Sequence, residues 1–108
     1  MRRSTVGLVV ILALVVALTA NARPERIRAG MSYYSDEYIE KGFVRDIGQE
    51  KNYEEVYQFY SYYEAIYDEA ERVVSFIEYK RGEVIQRDSY EYAANGTLKR
   101  RVVERPGK

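Results

Sequence analysis

Val84-Ile85-Gln86-Arg87-Asp88-Ser89-Tyr90-Glu91-Tyr92, then Ala93-Ala94-Asn95-Gly96, then Thr97-Leu98-Lys99-Arg100-Arg101-Val102-Val103-Glu104, is the stretch that decides the fold. Two runs rich in β-branched and aromatic residues flank an Asn-Gly pair, the strongest short-range hairpin signal. Upstream, Arg72-Val73-Val74-Ser75-Phe76-Ile77-Glu78-Tyr79 ends at Lys80-Arg81-Gly82-Glu83, where the glycine supplies the positive φ of a tight turn. Tyr57 to Tyr67 is denser still in aromatics and stops at Asp68-Glu69-Ala70-Glu71. Turns at this regular spacing predict an antiparallel meander of about four strands and a mainly β fold, with Pro106-Gly107 ending regular structure.

Residues 31 to 58 are open to two readings. Ser32-Tyr33-Tyr34-Ser35 and Phe43-Val44 have strand-like residue types, and Gly42 and Gly48 punctuate them, which suits either two short strands or ordered loop. Asn52 with Glu55 three residues on reads as a capping box for a short helix over Tyr53 to Gln58. The edge of the meander is then covered either by this region or by another subunit.

Alternation places Val84, Gln86, Asp88, Tyr90 and Tyr92 on one side of the third strand, with Glu83, Ile85, Arg87, Ser89 and Glu91 on the other. Neither set is cleanly apolar. Twelve tyrosines stand beside three phenylalanines and no tryptophan. Tyrosine satisfies strand propensity and cross-strand packing, and its wet hydroxyl also suits a recognition surface. The residues expected to bind a partner are therefore Tyr60, Tyr62, Tyr90 and Tyr92 on a sheet face, together with Lys99 and Arg101, which alternation puts on one side with Arg100 on the other. The basic cluster equally suits an edge strand that resists unwanted pairing.

Tyr67-Asp68-Glu69-Ala70-Glu71-Arg72-Val73 and Tyr92-Ala93-Ala94-Asn95-Gly96-Thr97-Leu98 resemble each other across 25 residues, with Tyr79-Lys80-Arg81-Gly82-Glu83-Val84 as a shortened copy between them. Their pattern of tyrosine, turn, glycine, basic or polar residue and aliphatic residue resembles the YD-type hairpin repeats of bacterial Rhs-like secreted proteins. Glu71 stands where that repeat has glycine, and Ala93 where it has aspartate. The resemblance implies hairpin geometry in a small exported bacterial protein. It does not imply encapsulation of a toxin, since Rhs-type shells need many repeats and this chain has at most three.

The amino end carries a second signal. Arg2 and Arg3 precede an apolar run from Val6 to Leu18, and Ala20-Asn21-Ala22 offers the small residues a signal peptidase accepts. Residues 1–22 read as a signal peptide, residues 23–30 as a flexible lead-in, and residues 31–108 as one small β-rich domain. An apolar run of this length falls short of the roughly 20 residues that a spanning helix needs. Cleavage would leave a periplasmic or secreted protein without stable membrane insertion, and retention would leave an anchored one. With no cysteine, the domain is expected to hold together without disulfides.

The 17 basic and 17 acidic residues balance overall but not along the chain. Asp36 to Glu71 carries eleven carboxylates against three basic residues; Arg72 to Lys108 carries nine basic against five acidic. Such a dipolar chain attracts itself, within a fold or between copies, and gives no footprint for nucleic acid.

No histidine and no cysteine are present, so the usual general base, thiol nucleophile and transition-metal ligands are missing. No catalytic residue, metal or cofactor is assigned on that basis. The expected function is a non-enzymatic binding or assembly module of the bacterial envelope, docking a protein, a glycan or its own copy. The alternative is a hydrolase or calcium-dependent protein built on Asp68, Glu69 and Glu71 or on Asp36, Glu37 and Glu40.

Overall fold

A computed structural model describes residues 26 to 107. The expected signal peptide and the first residues of the expected lead-in lie outside the described residues. The chain is mainly β: the described residues hold seven strands in two antiparallel sheets and one short helix. β1 spans Ser32–Ser35, β2 Tyr38–Lys41, β3 Val44–Ile47, α1 Tyr53–Val56, β4 Ser61–Tyr67, β5 Val73–Lys80, β6 Glu83–Tyr92 and β7 Leu98–Glu104. The five-stranded sheet runs β1-β4-β5-β6-β7, and β2 and β3 form a separate hairpin. Among the described residues, no helix is long and apolar enough to cross a membrane.

The four-strand meander is present at β4 to β7, and its first and last turns share a geometry. Asp68 N–H donates to the Arg72 carbonyl and Glu71 N–H to the Asp68 carbonyl; Ala93 N–H donates to the Thr97 carbonyl and Gly96 N–H to the Ala93 carbonyl. Gly96 has φ 91°, and Glu71 takes the same left-handed place at φ 62°. Glycine meets that demand without a Cβ clash, whereas at Glu71 the surrounding hydrogen bonds must hold the residue there. Asp68 supplies them, accepting from the N–H groups of Ala70 and Arg72 and from Arg72 Nε, each at 2.9 Å.

β1 pairs with β4 from Ser32 opposite Ile66 to Ser35 opposite Tyr63, so the region before the meander does cover its first edge. That region holds three short strands. β2 is exposed along its whole length, which is why Tyr38 to Lys41 has no alternating apolar pattern to reveal it. The helix is shorter than its sequence signal: Asn52 offers its carbonyl to Glu55 and Val56 N–H, but its side chain makes no cap hydrogen bond. Residues 57 to 60 are not strand. Helical-type bonds continue from Tyr57 N–H to Tyr53 and from Phe59 N–H to Val56, and β4 starts only at Ser61.

Pairing assigns each side chain a face, because directly opposed residues on neighbouring strands point the same way. Tyr63, Ala65 and Tyr67 of β4 share one face with Phe76 and Glu78 of β5 and Gln86, Asp88 and Tyr90 of β6. The β2–β3 hairpin lies over this hairpin face. Ile47 packs there with Ala65, Tyr67, Val73, Phe76 and Tyr90 as the core, and Ile27 of the lead-in packs against its margin. Full burial of Phe76 alone removes enough apolar surface to contribute about 1.5–3 kcal/mol. Tyr34, Tyr62, Glu64, Ile77 and Tyr79 point to the opposite, helix face, where α1 sits. A register shift between Glu78 and Tyr79 sets Val84 opposite Tyr79 while Gln86 stays opposite Glu78. Val84 therefore leaves the face that uninterrupted alternation would give it.

Candidate functional site

On the helix face, tyrosines gather around one buried carboxylate. Glu64, 8% exposed, accepts from Ser32 Oγ and from the Tyr79 hydroxyl at 2.6 Å. Tyr62 and Tyr79, cross-strand partners, stack at 4.7 Å and 12°. Tyr34 leans on Tyr53 at 5.1 Å, Tyr53 meets Tyr62 edge-on at 6.4 Å, and Tyr53 stacks on Tyr57 at 5.6 Å. The contacts form a continuous ladder from sheet to helix, each worth a fraction of a kcal/mol to about 1.5 beyond its burial. Burial, then the hydrogen bond to Glu64 and its charge, push the Tyr79 phenol well above the ordinary tyrosine value. Burial and the nearby Glu64 charge also raise Tyr34.

The outer end of this ladder is open. Tyr53, Tyr57, Phe59 and Tyr60 fall within eight residues and are 47, 53, 40 and 61% exposed. Val56 on the same turn is fully buried and anchors them to the sheet. Arg81, in the β5–β6 turn, lies 5.7 Å from the centre of the Tyr60 ring, and its N–H donates to the Tyr60 carbonyl at 2.9 Å. The patch thus combines aromatic rings with one guanidinium on a backbone fixed from two elements.

The hairpin face is built differently. Asp88, fully buried, accepts from Arg45 Nε at 3.2 Å, Gln86 Nε2 at 2.9 Å, the Tyr90 hydroxyl at 2.7 Å and an Arg101 nitrogen at 3.4 Å. Arg45 also reaches Glu78 at 3.2 Å and lies over the Phe76 ring at 4.8 Å, and its N–H donates to the Tyr90 oxygen at 2.9 Å. Burial would raise Asp88, but hydrogen bonds from Gln86, Tyr90 and Arg45 and the arginine charge prevail and hold it below the ordinary aspartate value. This cluster fastens the hairpin to the sheet.

The six residues singled out from sequence do not form one surface. Tyr60 is exposed in the patch, and Tyr62 lies buried beneath it. Tyr90 and Arg101 belong to the Asp88 cluster on the other face. Tyr92 donates its hydroxyl to the Val73 carbonyl at 2.6 Å, stacks under Arg72 and lines a cavity of about 290 Å³ with Lys41 and Asp46. Lys99 is exposed at the bulge that opens β7. Tyr53, Tyr57, Phe59, Arg81 and Glu64 were missed; the i, i+4 spacing of Tyr53 and Tyr57 inside a helical segment is the signal that could have found the first two.

One aspartate in each acidic cluster has a structural role. Asp68 caps its own turn, and Asp36 pairs with Lys51 at 3.1 Å. Among the described residues, no group of three or more Asp or Glu side chains converges in a way that could hold a metal ion. No protein-family model, curated protein or solved structure matches the chain.

Proposed function

We propose that this chain is an exported, non-enzymatic binding module of a bacterial envelope, and that it holds a protein partner on the patch formed by Tyr53, Tyr57, Phe59, Tyr60 and Arg81. The observation that carries the reading is the exposure of four large aromatics within eight residues, on a segment whose Val56 is fully buried. A rigid support for exposed rings keeps the ordering cost of binding low. Tyrosine, phenylalanine and arginine are the residue types enriched at protein interfaces, and Tyr and Arg dominate their hot spots. Export rests on the basic, apolar and small-residue sequence of residues 1–22.

Hydroxyl-radical footprinting tests this reading. The rings at 53, 57, 59 and 60 are expected to oxidise readily in the purified protein and to be protected in intact cells of the host, while Phe43, 71% exposed on the β2–β3 turn, oxidises equally in both. Equal oxidation of all five rings in both settings would remove the patch as a docking surface.

A further inference from the structure

β7 ends the five-stranded sheet, and among the described residues no strand pairs with its outer edge. That edge is seven residues long, and it exposes Val102 and Val103 at 41 and 37%. A free edge of this kind is a template for another strand unless its side chains forbid pairing. The side chains of β7 forbid most registers and favour one.

An antiparallel partner strand must oppose residues that share a face. Pairing with β6 puts Arg100, Val102 and Glu104 on the helix face and Arg101 and Val103 on the hairpin face. Self-pairing centred on Arg101 would set two guanidiniums against each other across a two-fold axis. Self-pairing centred on Val103 would oppose Arg101 to Arg105 of the second copy. Centred on Val102, the same strand opposes Arg100 to Glu104 of the second copy, twice by symmetry, with Val102 against Val102 between them.

The neighbouring strand extends the match. Arg87 lies opposite Glu104 and Glu91 opposite Arg100, the latter pair at 3.4 Å. Across the joined sheets the order becomes Arg87, Glu104, Arg100 of the second copy, Glu91 of the second copy, so charge alternates over four strands. Like charges meet only at the ends, where Lys99 opposes Arg105, and Arg105 is turned toward Gln86, to which its Nε donates at 3.1 Å.

We propose that β7 pairs with β7 of a second copy about Val102, joining two five-stranded sheets into one of ten. The contact lies on the edge strand β7, whereas the aromatic patch is formed by α1, the lead into β4 and the β5–β6 turn, so the two stand independently. A dimer so formed presents two patches, and a partner with repeated sites would be held by both.

The absence of cysteine makes the test clean. In protein recovered from cells that express the whole chain, Val102→Cys places two thiols on the axis at a Cα separation of about 4.5–5.5 Å, inside the range a disulfide spans. Diamide, which takes up the two electrons and two protons that the thiols lose, is expected to give a covalent dimer quickly. Val103→Cys sets its two sulfurs' Cα atoms about 8 Å apart and should cross-link at least tenfold more slowly. Unmodified protein should sediment as a dimer at concentrations on the order of 0.1 mM in low salt, and Val102→Lys, with unchanged circular dichroism, as a monomer. Equal cross-linking at 102 and 103, or an unmodified protein that stays monomeric at that concentration, overturns the proposal.

Discussion

The two faces of the five-stranded sheet each bury a carboxylate, and they neutralise it in opposite ways. Asp88 on the hairpin face is met by the guanidinium groups of Arg45 and Arg101, whereas Glu64 on the helix face is met by the hydroxyls of Ser32 and Tyr79. An arginine reaching from β3 across to β5 and β6 ties two sheets together, so the first solution closes its face. Hydroxyls borne on the sheet's own strands tie nothing from outside. The second solution leaves the helix face held by ring contacts, the buried Val56 and backbone bonds, with no guanidinium clamp between elements, and its outermost rings remain exposed.

The sharpest way to break the contrast is Arg45→Ala. It strands Asp88 and Glu78 without their main cation, and loss of one partner of a buried pair costs about 3–5 kcal/mol. Urea unfolding should show a loss of that size, with hydrogen exchange rising first in residues 38–47. Acid probes the same cluster more gently, because it neutralises the carboxylate. The folded-state value of Asp88 is depressed, so its contribution is present above the unfolded value of 3.8 and is lost as pH falls through the lower folded value. Amide protection in β3 is expected to fall in that acid range. Alkali acts on both faces: Tyr79 and Tyr90 are both raised by burial, and both hydrogen-bond to a carboxylate, so their contribution holds below pH 10 and is lost above it. Stability measured by urea midpoint should decline on that side.

Smaller effects are expected on the helix face. Tyr79→Phe removes one donor from Glu64 and should cost about 1–2 kcal/mol in urea unfolding, well below Arg45→Ala. Tyr60→Ala removes a mostly exposed ring and should change stability by no more than about 0.5 kcal/mol, and Tyr57→Ala, which also loses the stack on Tyr53, by about 1 kcal/mol, while each weakens the partner footprint.

The contrast between the faces was only half legible in the sequence. β4 to β7 follow from aromatic and β-branched runs between Asp68–Glu71, Arg81-Gly82 and Asn95-Gly96, because turn chemistry and strand propensity are local properties. Arg45 shows the limit. Its partners lie 43 and 33 residues away, and only the register of three strands and the docking of a hairpin bring them to it. Bulges add a second limit: the shift at Glu78/Tyr79 moves Val84 to the face opposite Gln86, which strict alternation cannot anticipate. Continuity of the tyrosine run from Tyr57 to Tyr67 suits a strand that includes Tyr60, yet α1 ends at Val56 and the turn that follows holds residues 57 to 60 out of the sheet, leaving Tyr57 and Tyr60 exposed.

The most direct measurement is photo-cross-linking in living cells of the host, with a photoreactive phenylalanine analogue at position 57 or at position 43. Both rings are exposed, Phe43 more so than Tyr57, but only Tyr57 lies in the helix-face patch. A discrete protein adduct is expected from position 57 and none from position 43. Adducts from both positions in equal yield, or from position 43 alone, would contradict it.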